Sequence, residues 1–135
     1  MKLSSKSRYG LNAMYHLAKN NDNCTSLTEL SRQTNISQPF LEKVLADLRK
    51  NGLVNATRGS QGGYVLSRLP KEITVGQILR TFEKDLIVIN CSGKSDCTNF
   101  NCPSKGIYKV IYERVNNVLD DITLQDMIEN KGDIL

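Results

Sequence analysis

The order of apolar and polar positions along the chain predicts a protein built mainly from helices. Apolar residues recur every three or four positions over residues 7–19 and again over residues 103–121. This spacing places them on one face of an α-helix. Shorter segments with the same spacing follow Ser26 and Thr74, and Thr123 is the predicted cap of a last short helix that ends near Asn130.

Two of the predicted helices lie close together and have clear end signals. Ser26 opens the sequence Ser-Leu-Thr-Glu, a capping box in which the Ser26 hydroxyl and the Glu29 carboxylate each accept a backbone N–H. Asn35 tolerates the left-handed conformation that ends many helices. Ser37 then caps a second helix over residues 38–50. Two helices joined by so short a turn form a helix-turn-helix.

A glycine-rich segment directly after this helix pair predicts a β-hairpin. Two short β-prone runs, residues 53–58 and 64–67, flank the sequence Gly-Ser-Gln-Gly-Gly. A hairpin that follows the second helix of a helix-turn-helix is a wing. The predicted fold class is therefore mainly α, a winged helix-turn-helix domain with a two-stranded wing, plus a long C-terminal helix.

Charge is distributed unevenly along the chain. The net charge is +4, but residues 1–70 have ten basic and four acidic side chains (+6), whereas residues 71–135 have eight basic and ten acidic ones (−2). A basic front half suits a module that binds a polyanion such as nucleic acid, although two ordinary solvated surfaces give the same sums. No apolar run is long enough for a membrane span and no signal peptide is present, so we expect a cytoplasmic protein.

The outward side of the second helix has residue types that read DNA. Gln38, Glu42 and Lys43 occupy its early turns, the end that usually enters the major groove. A glutamate accepts from the amino group of cytosine, and a lysine donates to guanine. Arg49 and Lys50 lie further along the helix and are predicted to contact phosphate.

The wing supplies two further candidates for DNA binding. Arg58, at the base of the wing, is predicted to reach a minor groove or a phosphate. Ser60 lies at the tip, where neighbouring glycines without side chains allow close approach to DNA. Each feature also occurs in proteins that bind no nucleic acid, and it is their order along the chain that indicates DNA binding.

Three of the four cysteines are clustered. Cys91, Cys97 and Cys102 fall within twelve residues, whereas Cys24 stands alone. Clustered cysteines in a chain without a secretion signal predict metal ligands or redox thiols. Three thiolates can bind zinc or an iron–sulfur cluster, and the lack of a Cys-x2-Cys pair argues against a zinc ribbon. Free thiols or a redox pair are the alternative. We expect no metal role for Cys24 or for His16, the single histidine.

No motif in the sequence indicates catalysis. There is no phosphate-binding loop and no pairing of a nucleophile with a base. We therefore expect that the chain is not an enzyme. A redox or electron-transfer protein that uses the cysteines is the alternative from another class.

Three stretches of the sequence resemble one family of bacterial regulators. SKSRYGLNAMYHLA, ISQPFLEKVLADLRKNGLV and RGSQGGYVLSR are similar to the Rrf-type winged-helix regulators, which include IscR-like, NsrR-like, RirA-like and CymR-like members. The resemblance implies a homodimeric transcription regulator that binds a palindromic promoter site in double-stranded DNA. It places base-reading positions at Gln38, Glu42 and Lys43 and the wing arginine at Arg58. It also implies dimerisation through the long helix over residues 103–121.

The resemblance also implies a cofactor. IscR-like and NsrR-like members hold an iron–sulfur cluster with three cysteines in this loop, which here are Cys91, Cys97 and Cys102. A 2Fe–2S cluster is favoured and a 4Fe–4S cluster is the alternative. The fourth ligand is left open, because the histidine of IscR-like proteins is replaced by Lys105 and the aspartate region of NsrR-like proteins offers Arg8. The alternatives are a carboxylate or amide such as Asp96 or Asn101, a backbone or solvent group, or a small thiol.

Two hypotheses for regulation follow from the resemblance. In the first, promoter binding responds to the cluster. In the second, the chain is a CymR-like regulator of sulfur or cysteine metabolism that a partner protein controls without a cluster. Both hypotheses divide the chain into the same three parts. These are a DNA-binding domain over residues 1–84, a cysteine-containing loop over 85–102, and a dimerisation helix with a C-terminal segment over 103–135.

Overall fold

The computed structural model describes residues 2–87 and 101–129 and confirms the predicted fold class. These residues form six α-helices and one antiparallel two-stranded sheet. In chain order the elements are α1 (Ser5–Lys19), α2 (Leu27–Thr34), α3 (Gln38–Lys50), β1 (Val54–Thr57), β2 (Gly63–Leu66), a 3₁₀ turn (Pro70–Glu72), α4 (Val75–Phe82), α5 (Lys105–Asp121) and α6 (Leu124–Ile128).

The ends of the helix pair are set by local hydrogen bonds. The Ser26 hydroxyl accepts the Glu29 N–H at 3.1 Å, and Asn35 adopts the predicted left-handed conformation with φ 58°. The capping box is only half formed, because the Glu29 carboxylate accepts from Arg32 on the next turn instead of from Ser26. Ser37 is the N-cap residue of α3, but its side chain makes no capping bond with the described residues.

Helix α1 lies at the centre of the domain and packs against α2, α3, α4, α6 and β2. Its fully buried side chains include Ala13, Met14 and Leu17. Two of its other apolar side chains, Leu11 and Tyr15, are only half-buried. Neighbours on several sides require a wider buried arc than the single apolar stripe of a surface helix.

The angle between α2 and α3 is filled by apolar side chains. Leu30, Ile36, Leu41 and Val44 are buried, and Leu27 is half-buried against them. Each fully buried aliphatic side chain of this size stabilises the fold by roughly 1.5–3 kcal/mol. This packing holds α3 at a constant angle to α2 and turns the polar side of α3 outward.

The wing is attached to the body of the domain by a third segment. Val54 pairs with Leu66 and Thr57 with Gly63 in the sheet. Outside the sheet, the Tyr64 N–H donates to the Thr25 carbonyl at 2.8 Å and the Thr25 N–H donates back at 2.9 Å. The connection before α2 therefore pairs with β2 and limits how far the wing can swing.

Only one end of α5 is anchored to the rest of the described chain. Near its C-terminus, the Val75 N–H donates to the Ile122 carbonyl at 2.8 Å, and the Arg80 guanidinium donates to the Asp120 carboxylate. Leu119 of α5 is buried in a cluster with Val75 and Leu79 of α4. Neither α5 nor any other helix in residues 2–87 and 101–129 is long and apolar enough to cross a membrane.

We expect Gly63→Ala to destabilise the protein because of this wing attachment. A Cβ atom at Gly63 would lie 2.4 Å from the Thr25 carbonyl oxygen, which is backbone and cannot rotate away. Overpacking of this kind lowers the free energy of unfolding by about 1–3 kcal/mol. Urea denaturation followed by circular dichroism measures the change.

Gly106→Ala is the matched control for this substitution. No atom lies within 4 Å of a Cβ built at Gly106, and alanine favours a helix over glycine by up to about 1 kcal/mol. Its stability should be unchanged or slightly raised. Equal stability of the two variants would contradict a close approach of Gly63 to Thr25.

Candidate nucleic-acid interface

The helix residues predicted to bind DNA share the exposed side of α3. The opposite side of this helix is buried through Leu41, Val44, Leu45 and Leu48. Burial of one side requires the other to face solvent, where α3 carries the exposed residues Gln38, Glu42, Lys43, Arg49 and Lys50. The structure therefore places these five side chains on one accessible surface, and their role in DNA binding stays a prediction.

Two exposed polar contacts flank this surface of α3, one on each side. Towards α2, the Gln38 side-chain amide donates to the Thr28 hydroxyl at 3.4 Å. Towards α1, the Lys6 ammonium lies 3.3 Å from a carboxylate oxygen of Asp47. Neither Thr28 nor Lys6 was predicted from the sequence, because the contacts join residues 10 and 41 positions apart.

The basic side chains of the surface are not neutralised by neighbouring acids. Among the described residues, no carboxylate forms an ion pair with Lys43, Arg49, Lys50 or Arg58. By contrast, Arg32 on α2 is paired with Glu29. Four unpaired cations on α3 and the wing produce a positive potential over this part of the molecule, which attracts polyanions.

The wing presents Arg58 and Ser60 beside a tightly folded glycine turn. Both residues are exposed. Gly59 has φ 113°, a conformation that side-chain-bearing residues rarely adopt, and a Cβ at Gly62 would lie 2.2 Å from the Thr57 carbonyl oxygen. The glycines are thus required by the fold of the tip itself, in addition to any close approach to DNA.

The predicted cysteine site is only partly within the described residues. Cys91 and Cys97 lie outside them. Cys102 is a half-buried free thiol directly before α5, and its carbonyl accepts the Lys105 N–H at 3.2 Å. No group of three or more histidine, cysteine or acidic side chains within residues 2–87 and 101–129 is arranged to hold a metal ion.

The segment that leads to the cysteines starts from a hydrogen-bonded joint. One oxygen of the Glu83 carboxylate accepts from the buried Ser7 hydroxyl and from the Ser4 N–H, each at 2.7 Å. The Ser7 hydroxyl bond, followed by those from Ser4, holds the pKa of Glu83 below its usual value. This joint links the C-terminal end of α4 to the first turn of α1, and it was not predicted from the sequence.

Cys24 and His16, for which no metal role is expected, contact other side chains in the structure. The Cys24 thiol is exposed and lies 3.8 Å from the Thr57 hydroxyl at the wing. The half-buried His16 ring packs edge-on against Tyr15, with ring centroids 5.3 Å apart. Burial lowers the pKa of His16, and the nearby charge of Lys19 lowers it further.

Helix α5 presents an apolar stripe to solvent. Ile107, Ile111 and Val118 are separated by four and seven residues, which places them on one face of the helix, and Val110 flanks them. Their exposed fractions are 62%, 44%, 55% and 45% respectively. Four large apolar side chains side by side on one exposed helix are typical of a surface that another protein covers.

A comparison of the sequence with protein families and relatives identifies one group of regulators. The model of the Rrf2 family, described as iron-dependent transcriptional regulators, matches residues 3–130. The transcriptional regulator IscR of Yersinia pseudotuberculosis is 35% identical over 137 residues, covering 100% of this chain and 83% of the relative.

Solved structures with the same fold come from the same group. CymR, the global cysteine regulator of B. subtilis, has a TM-score of 0.83 and 36% identity, covering 96% of this chain and 98% of its own. IscR of T. potens has a TM-score of 0.77 and 36% identity, covering 96% of this chain and 88% of its own. Both structures therefore share nearly the whole of this fold.

Proposed function

This chain belongs to the Rrf2 family of transcriptional regulators, and we propose that it binds promoter DNA as a homodimer under the control of an iron–sulfur cluster. The observation that carries the DNA-binding part is the surface of α3 and the wing, where unpaired cations surround residues able to read bases.

In this proposal the two parts of the surface have different tasks. Gln38, Glu42 and Lys43 on the early turns of α3 contact base edges in the major groove. Arg49 and Lys50, further along α3, bind phosphates. Arg58 and Ser60 extend the contact beside the groove that α3 occupies, since the wing is held against the domain by its pairing with Thr25.

The test of DNA binding begins with a duplex selected by the chain from a random-sequence pool. Lys43→Ala and Arg58→Ala should each weaken binding to this duplex by about 1–3 kcal/mol, or roughly 5- to 150-fold, because each removes a charged contact. Lys50→Ala should weaken binding to any duplex and lower its salt dependence. Fluorescence anisotropy at several salt concentrations measures these effects.

Lys109→Ala is the matched control for these variants. Lys109 is an exposed lysine on α5, away from both α3 and the apolar stripe, and it is paired with Glu113. Its loss should leave DNA affinity unchanged. Failure of the parent protein to select any duplex, or equal losses in Lys109→Ala and Lys43→Ala, would contradict the proposed interface.

The apolar stripe of α5 supports the dimer in this proposal. A two-fold axis brings the same stripe of two copies together, so the apolar side chains of each copy cover those of the other. The anchored C-terminal end of α5 then holds each DNA-binding domain relative to the axis. Two α3 helices related by a two-fold axis would read a palindromic site in successive major grooves.

Ile111→Asp should separate the dimer. The substitution exchanges an apolar side chain for a carboxylate in both copies, and the lost burial alone is about 1.5–3 kcal/mol per copy. We expect the dimer dissociation constant to rise at least roughly 100-fold, measured by sedimentation equilibrium.

The control for Ile111→Asp is Leu69→Asp. Leu69 is 49% exposed, similar to Ile111, but it precedes the 3₁₀ turn and lies outside α5. It should not change the oligomeric state. A chain that sediments as a monomer before any substitution would refute the dimer.

The proposed cofactor depends on the cysteine-containing loop over residues 85–102. Three thiolates are a donor set that iron–sulfur clusters use, and Cys102 is a free thiol that is not paired in a disulfide. Arg8 and Lys105 are exposed and cationic, so neither suits a fourth ligand. When bound, the cluster would supply a centre that can be assembled or lost with iron supply or oxidation.

Cysteine substitution and anaerobic reconstitution test the cluster. Protein reconstituted with iron and sulfide should absorb visible light and contain both elements, and its DNA affinity should differ from that of the cluster-free form. Serine at Cys91, Cys97 and Cys102 together should abolish the absorbance. Cys24→Ser, an exposed cysteine outside the loop, should retain it. Colourless protein after reconstitution would contradict the proposed cluster.

A second candidate for regulation is favoured by the structural similarity to the cysteine regulator CymR. Here a partner protein would change DNA binding, and the three clustered cysteines would have no part in it. The triple serine variant separates the two candidates in cells. Regulation that survives the substitution indicates the partner-controlled mechanism.

A further inference from the structure

The flank of α3 that faces α1 has a basic side chain to which no function has been assigned. We propose that Lys6, at the start of α1, is a DNA phosphate-binding residue and that Asp47 on α3 holds its ammonium only until DNA binds. This inference rests on the proposed DNA binding and extends that surface beyond α3 and the wing to a third element of the fold.

The contacts between α1 and α3 place the Lys6 ammonium beside the exposed side of α3. Its nitrogen lies 3.3 Å from a carboxylate oxygen of Asp47. One turn further along α1, the Tyr9 ring packs edge-on against the Phe40 ring, with centroids 5.2 Å apart. These two contacts set the beginning of α1 along the same flank of α3.

Lys43, Asp47 and Lys50 follow one another at intervals of four and three residues, so they form a row along α3. Lys6 joins this row at its middle member. The row then contains three cations and one anion, and its net charge is +2 (3 − 1). Asp47 is the single acid in the row, and its pairing with Lys6 leaves Lys43 and Lys50 free.

The ion pair between Lys6 and Asp47 is too weak to fix the Lys6 side chain in one position. The Lys6 side chain is 49% exposed and that of Asp47 is 34% exposed. An ion pair this close to water contributes little to stability, because solvent screens it and holding two flexible side chains loses entropy. The ammonium can therefore exchange the carboxylate for a phosphate without disturbing the packing of α1.

When α3 lies in the major groove, the DNA backbone places a phosphate near Lys6. A helix in that groove is bordered by one phosphate strand on each side. On one side of α3 lies α2, which Gln38 contacts through Thr28. On the other side lies the start of α1, where the Lys6 ammonium contacts Asp47 of α3. Lys6 would thus bind the strand opposite the one next to α2.

The dependence of binding on salt tests this proposal without knowledge of the natural promoter. The probe is a fluorescent duplex of random sequence of about 30 base pairs, roughly three helical turns. Each phosphate contact adds about 0.9 to the slope of log affinity against log salt. Between 50 and 200 mM salt, the parent protein should therefore lose roughly 3.5-fold more affinity per chain than Lys6→Gln.

Asp47→Asn distinguishes phosphate binding from a structural role of the pair. Removal of the acid should raise affinity for the duplex, because Lys6 no longer has a competing partner. In the Asp47→Asn background, Lys6→Gln should lower the salt slope by the same amount as in the parent. A purely structural Lys6 would have no further effect there, and that result would overturn the proposal.

Lys109→Gln is the matched control, since Lys109 is also an exposed lysine paired with an acid on the surface. Its salt slope should equal that of the parent. An unchanged slope in Lys6→Gln, with normal binding by the parent, would overturn this inference alone and leave the proposed function intact. A parent protein that binds no duplex would overturn both.

Discussion

Burial of α1 is the constraint on which the rest of this structure depends. Met14 and Leu17 are enclosed by elements from the whole front half of the chain and from α6. Gly10 lies so close to the Phe82 ring that a Cβ there would be 2.3 Å from it, so α4 approaches α1 directly. Because one helix contacts the helix pair, the wing and α4, the positions of all three are set relative to each other.

The candidate interface combines this rigid frame with weak surface contacts. Burial of one side of α3 decides which side chains face solvent, and it contributes most of the energy that holds the helix. The bonds that Gln38 donates to Thr28 and that Lys6 donates to Asp47 are exposed and add little stability. Such contacts are suited to a binding surface, because they can be exchanged for contacts with DNA at small cost.

The two ends of α5 differ in their contacts with the rest of the described chain. Its C-terminal end is fixed to α4 by Arg80, Asp120 and the buried Leu119. Towards its N-terminal end, Ile107 and Ile111 are exposed although they are apolar. In the proposed dimer, the same helix would hold the DNA-binding domain at one end and contact a second copy through its apolar stripe, and this would set the separation of two α3 helices.

The sequence alone determined the helices, the helix end at Asn35, the wing and the exposed candidates on α3, because these depend on local spacing and on residues a few positions apart. Asn35 and the Gln38–Lys50 helix illustrate this. Only the tertiary structure decided the buried arc of α1, the Ser7–Glu83 joint and the place of Lys6 beside Asp47. Those features join residues 76 and 41 positions apart, and no local pattern encodes which distant side chains packing will bring together.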